Sequence, residues 1–277
     1  MIKRILLALD KSPAGETAQK YAIDLATKSK ASITGIGVLD TPWITAAQPE
    51  PIGGGAYKLQ RDATVIGQSH ELLALLISEF MAACAAKGVN HSSLEVEGFP
   101  TVEIERLAHE HDLIIIGRTT DFHFDLEENS DVVVKHIARD NPRPLIILPE
   151  TIHDTDNILV TFDGSMQSSR AMHMFILLGL AQGKKIHVVS IDKNIDIATT
   201  YTRFATRMFQ AHDLTITPHA LVSEGDTAKQ LMSIAHDLKA SMMVMGGFSH
   251  SILRETLFGS CTKTLMAQSD IPIFLHH

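Results

Sequence analysis

The stretch Val244–Lys263 reads VMGGFSHSILRETLFGSCTK. An apolar run ends in two glycines, and thirteen residues after Gly246 come Gly259 and Ser260, where a helical pattern begins. Glycines let backbone approach a ligand closely, and a helix N-terminus offers free N–H groups and the positive end of its dipole. That combination suits a bound anion. The Ser260 hydroxyl adds a donor, and Lys263 and Arg254 add cations. His250, inside the segment, is suited to touching a phosphate or carrying a proton, or is an exposed loop histidine. Two carboxylates have related settings, because Asp10 and Asp163 each close a short apolar run and each is followed two residues later by a serine. No nucleophile elbow, Ser-His-Asp order or complete Walker A sequence accompanies them, so efficient turnover is not expected.

These groups need elements to hold them. Short apolar runs, ILLAL, ITGIGVL, LIIIG and PLIIL and then ILVTF, IHVVSI, MMVMG and PIFL, alternate with helical patterns. Runs this apolar suit strands buried on both faces of a parallel sheet. Ala18, Tyr21, Ala22, Leu25 and Ala26 share one helical face, and Ser12 is placed to cap that helix. The expectation is repeated βα units forming doubly wound sheets, which bind ligands beyond the carboxyl ends of their strands. Asp163, Ser190, Met245 and Gly246 all fall at or near such ends.

The pattern occurs twice. IKRILLALDKSPAGETAQKYAIDLA matches NILVTFDGSMQSSRAMHMFILLGLA, and GFPTVEIERLAHEHDLIIIG matches GDTAKQLMSIAHDLKASMMVMG. The sequence predicts two tandem domains, 1–149 and 157–277, with a linker around PETIHDTDN. The first carries an insertion of about two dozen residues near TPWITAAQPEPIGGG, whose Pro and Gly content reads as a long loop over 41–67.

At these residues the chain resembles the universal stress protein family in its tandem form. The matches are Asp163 in TFDGS, Ser190-Ile191-Asp192, and Gly246-x2-Ser249-x9-Gly259-Ser260. The resemblance implies two mainly parallel five-stranded sheets of order 3-2-1-4-5 with helices on both faces. It implies an internal pseudo-dimer joined through the last strands, PLIIL and PIFL, and a possible homodimer beyond that. It also implies ATP or a related nucleotide as ligand, with or without Mg²⁺. Ser190 would meet the adenine through its backbone and Asp163 the ribose. Gly246, Ser249, Gly259 and Ser260 would wrap the phosphates, and Met245 would wall the pocket. Ser249 departs from the family's second glycine.

The first half departs further. Aligning Gly117 with Gly246 puts Thr120 at the second motif position and Ser130-Asp131 at the last pair. The intervening TTDFHFDLEENSD carries five acidic residues and no Lys or Arg. A triphosphate would meet like charges there, so family-type ATP binding is expected in the second half alone.

Composition bounds the rest. Net charge is −8, with −7 in residues 1–150, which disfavours nonspecific nucleic-acid binding. No apolar run reaches the roughly 18–20 residues of a membrane span. In MIKRILLALDKS, Asp10 ends the apolar run, so the segment reads as a first strand. Two cysteines give no disulfide framework, and a cytoplasmic protein is expected. Cys261, beside a helix start, is either an activated thiol or a small packed residue, and Cys84 reads as helix packing. The fifteen histidines include His109-x-His111 and His276-His277, but no zinc-type spacing supports them. The resemblance implies a stress-response sensor or adaptor with an unknown protein partner. The alternatives are a nucleotide-free or differently liganded interaction scaffold and, at most, a slow ATPase.

Overall fold

The computed structural model describes residues 1–47, 55–120, 122, 132–247 and 260–277. The chain divides into two compact units, Lys3–Ile137 and Ala138–His277 with Met1–Ile2.

In the N-terminal unit four strands, β1 (Arg4–Ala8), β2 (Ser32–Leu39), β3 (His91–Glu97) and β4 (Leu113–Gly117), run parallel in the order β3-β2-β1-β4. Every residue of β4 is buried, as its unbroken apolar sequence LIIIG requires. β3 lies at the edge and keeps Glu95 and Glu97 exposed, which discourages pairing with another chain. Helix α1 (Pro13–Ser29) buries Ala18, Ala22 and Ala26, and Ser12 caps it by accepting the Gly15 N–H at 3.0 Å.

Part of the segment expected as a loop is helical. Asp40 accepts the Trp43 N–H and caps a short helix, α2 (Thr41–Ile44), with Pro42 in its first turn, where a missing N–H costs nothing. A helix of 32 residues, α3 (Gly55–Ala86), takes over the end of the segment expected as loop. Its length and apolar composition alone would let it cross a bilayer, contrary to the reading from uninterrupted runs. Polar residues interrupt its apolar sequence, two of them, Asp62 and Ser69, on the buried face itself, so a run count misses it. The stripe Leu73, Leu76, Phe80 and Cys84 packs on the sheet, with Phe80 and Leu73 over Gly35 and Gly37 of β2. Buried Asp62 holds Lys58 and Arg61 at 2.5 and 2.7 Å, and Lys58 also donates to the Thr45 carbonyl at 3.0 Å, tying α3 to the end of α2. Helix α4 (Pro100–Ala108) follows β3, and the division between units falls inside α5 (Val132–Asp140).

The C-terminal unit contains β5 (Leu145–Leu148), β6 (Asn157–Thr161), β7 (Lys185–Asp192), β8 (Ile216–Val222), β9 (Met242–Gly246) and β10 (Ile273–His276). Their order is β8-β7-β6-β9-β10-β5, so the five strands of the second repeat run 3-2-1-4-5. All pairs are parallel except β5 with β10, where Ile147, Ile146 and Leu145 face Ile273, Phe274 and Leu275. The PLIIL–PIFL pairing expected from the sequence is this antiparallel ladder. It places β5, counted with the first repeat by sequence, in the compact unit of the second. Helices α6 (Met166–Leu177), α7 (Ile195–Gln210), α8 (Thr227–Asp237) and α9 (Ser260–Gln268) connect these strands.

Phe80 is fully buried over β2. Phe80→Ala should therefore lower unfolding stability by about 3–5 kcal/mol in urea titration, the cost of deleting a core ring.

Candidate functional site

Three strand ends and the starts of three helices converge in the C-terminal unit. They enclose an open cavity of ≈ 300 Å³ lined by Asp163, Gln167, Ser168, Thr227, Met245 and Thr262, among others. Val189, Ile191, Leu231 and Met245 make its apolar wall, and Phe162 and Cys261 also line it. Gly246 marks the end of β9 in the same wall.

The local chemistry of each element explains the convergence. After β6 the chain turns through Asp163-Gly164-Ser165. Gly164 has φ +76°, and a Cβ there would run into the Tyr201 ring, so the turn needs glycine on both counts. Ser165 then caps α6, its Oγ accepting the Ser168 N–H at 3.1 Å. The Ser165 N–H donates to Asp163 Oδ1 at 3.0 Å. Desolvation pushes the Asp163 carboxyl up, but hydrogen bonds from Ser165 and Ser168 outweigh it and hold the group below the usual carboxylate range. Asp163 is thus an exposed, ionised acceptor at the cavity mouth.

Gly246 sits where β9 meets α6. Its φ is not positive, so conformation alone does not demand glycine. Space does, because a Cβ would meet the Ser168 backbone nitrogen and would lie 2.5 Å from the Gln167 carbonyl carbon. Gly117 has the same relation to α1, with a would-be Cβ 2.6 Å from the Gly15 nitrogen. The first glycine of the motif therefore serves strand–helix packing in both repeats.

The repeats differ one residue on. Gly15 stands where the second repeat has Ser168. The Asp10 carboxylate folds over Gly15, on the spot a Cβ would need, and Asp10 is only 3% exposed. In the second repeat the Ser168 side chain takes that spot, and its hydroxyl donates to the Ser165 carbonyl at 3.0 Å. Asp163 stays outside.

Of the residues expected from the sequence, Asp163, Met245 and Gly246 come together at the cavity. Ser190 is buried, and its hydroxyl has no partner among the described residues. Its neighbours Val189 and Ile191 line the cavity instead. The Phe162 N–H donates to the Val189 carbonyl, and the Ser223 N–H to the Asp192 carbonyl. Backbone groups alternate sides along a strand, so Ser190 presents its own to β8 and Ile191 presents its own toward β6 and the cavity. Ser249, His250 and Gly259 lie outside the described residues, as does most of the acidic first-half segment. Ser260 opens α9, and the residues after it, Cys261 and Thr262, reach the cavity. The sequence reading missed Gln167, Ser168, Thr227, Leu231 and Thr262. Thr227 and Leu231 stand four apart on α8, a spacing that marks one helix face but not what it faces.

The structure also gives the surroundings of the cysteine and histidine candidates. Burial, with Asp226 and Asp163 nearby, pushes the Cys261 thiol up to about 11. Its helix-start position does not activate it. His111 is buried, with Nδ1 donating to the Leu107 carbonyl at 2.7 Å, and burial lowers its pKa. His276 pairs with Gly246 across β10 and β9, and burial together with His277, Arg170 and Arg143 pulls it down to about 4, so it is neutral. His187 and His219 share a 3.1 Å hydrogen bond between β7 and β8. Among the described residues, no three His, Cys, Asp or Glu side chains form a metal-binding group.

Comparisons with known proteins agree with this architecture. The sequence pattern of the Universal stress protein family matches residues 1–140 and 155–277. Universal stress protein Slr1230 of Synechocystis is 21% identical, covering 98% of this chain and 99% of its own. Stress response protein NhaX of Bacillus subtilis is 35% identical over 54 residues, 20% of this chain and 32% of that protein. The crystal structure of a universal stress protein from Archaeoglobus fulgidus superposes with TM-score 0.74 at 18% identity, covering 99% of this chain and 97% of that one.

Two outcomes follow from the geometry. Gly246→Ala should destabilise the ligand-free protein by about 1–3 kcal/mol in urea titration, because its Cβ overpacks backbone that cannot move aside. At pH 8 the Cys261 thiol should react with Ellman's reagent on the order of a hundredfold more slowly than a free cysteine, with a rate that climbs about tenfold per pH unit up to pH 10.

Proposed function

Because the chain belongs to the universal stress protein family through both of its halves, a family of stress-response proteins, we propose that its C-terminal half binds ATP or a related nucleotide, with or without Mg²⁺. The observation that carries this reading is the ≈ 300 Å³ cavity at the carboxyl ends of β6, β7 and β9, which joins an apolar wall to the ionised Asp163. A flat base fits against Val189, Ile191, Leu231 and Met245, with the outward backbone groups of Ile191 available to its edge. Asp163 accepts hydrogen bonds from the ribose. The phosphates run toward the first turn of α9, which Ser260 opens and where the helix dipole favours negative charge, and by the family's motif Ser249, Gly259 and His250 belong to the same cradle.

The N-terminal half contributes no equivalent site in this reading. Asp10 occupies its own counterpart position over Gly15, and the 121–131 segment is rich in carboxylates. The protein acts in the cytoplasm as a sensor or adaptor. Nucleotide occupancy reshapes the surface of the 246–260 segment that a protein partner meets, and turnover is not its task.

Calorimetric titration of ATP, with and without Mg²⁺, tests this. One site per chain is expected, lost in Asp163→Ala and in Gly259→Val, with no phosphate release that scales with protein. Two sites would return nucleotide binding to the N-terminal half. Phosphate release abolished by both variants would make the protein an ATPase. No heat at several temperatures, with no shift in melting, would leave a nucleotide-free scaffold.

A further inference from the structure

The cavity carries polar side chains that the protein itself leaves without partners. Gln167 and Thr262 come from different helices, and each is only 8% exposed. Both line the cavity, and among the described residues neither the Gln167 amide nor the Thr262 hydroxyl makes a hydrogen bond. An amide that lines an open cavity with no protein partner is free to bond a ligand there in place of water. Its backbone is also fixed, since the Gln167 carbonyl carbon is clamped against Gly246 with no room for a Cβ between them. A rigid strand–helix junction therefore fixes the place of Gln167 in the cavity wall.

The electrostatics indicate what the amide meets. The Asp163 carboxylate lies on the same wall and is held ionised, and Asp226 adds a second negative charge felt at Cys261 in that wall. A phosphate placed there would be repelled. A hydroxyl would not, because it can donate to the carboxylate while an amide N–H donates to it or the amide carbonyl accepts from it.

Resting on the nucleotide reading above, we infer that Gln167 is a specificity-determining residue. It hydrogen-bonds the hydroxyl-bearing sugar of the bound nucleoside rather than its phosphates. The sequence gives this position no sign of a role, since its counterpart in the first repeat is Ala14.

The test is calorimetric titration of adenosine, 2′,3′-dideoxyadenosine and ATP into the wild-type protein, Gln167→Leu and the shape-preserving Gln167→Met. Both variants should weaken adenosine and ATP by the same factor, about tenfold for one lost hydrogen bond. Neither should further weaken dideoxyadenosine, which already lacks the partner group. The melting temperature of the unliganded variants should stay level, since no hydrogen bond within the protein has been removed. Loss of ATP affinity with adenosine unchanged would move the contact to a phosphate and overturn the inference. Unchanged binding of both, or an affinity loss that tracks a fall in melting temperature, would reduce Gln167 to a structural residue. If the wild-type protein binds neither adenosine nor ATP, the nucleotide reading itself fails, and this inference with it.

Discussion

The C-terminal site depends on how closely the end of β9 can approach the first turn of α6. That distance leaves no room for a side chain at residue 246, and the same is true at residue 117 in the other repeat. The contact sets the height of the helix above the sheet. It also aims the Asp163-Gly164-Ser165 turn, fixes where Ser168 and Gln167 begin, and thereby shapes one wall of the cavity. A glycine that reads in the sequence as part of a phosphate cradle is in the first place a spacer between two backbones.

Once that junction is set, small differences decide what each repeat can do. With glycine at residue 15, the Asp10 carboxylate folds inward and is buried. With serine at residue 168, the equivalent space is filled and Asp163 remains outside as a charged acceptor, its ionisation supported by the hydroxyls and N–H groups of the same turn. One methylene and one hydroxyl thus separate a carboxylate that belongs to the core from one that faces a cavity. The ionised Asp163 acts in turn on its neighbours. Together with Asp226 and burial it keeps the Cys261 thiol protonated, so the cavity wall is polar but chemically quiet.

The long helix α3 shows a similar competition between composition and packing. Its residues are apolar enough for a membrane, yet its stripe of Leu73, Leu76, Phe80 and Cys84 is satisfied on the sheet, where glycines in β2 let it lie close. The insertion that sets the first repeat apart is in large part helix, because Asp40 and Pro42 start α2 and the residues after Gly55 favour α3.

The sequence by itself determined the duplicated βα pattern, the doubly wound class, the cap at Ser12, the strand ends at Asp10 and Asp163, and the family. These depend on periodicity and on residue types a few positions apart, which a linear text records. It also placed Asp163, Met245 and Gly246 at strand ends, where such sheets open. Only the tertiary structure decided that Gly246 is there for space, and that Ile191 rather than Ser190 turns its backbone toward the cavity. It likewise decided that Asp10 is folded in while Asp163 is out, and that Gln167, Leu231 and Thr262 meet from three different helices. Those facts depend on which backbone group faces which neighbour and on contacts between residues up to about a hundred positions apart. A motif lists the residues that occur, whereas the packing of strands against helix ends determines which of them face the same empty space.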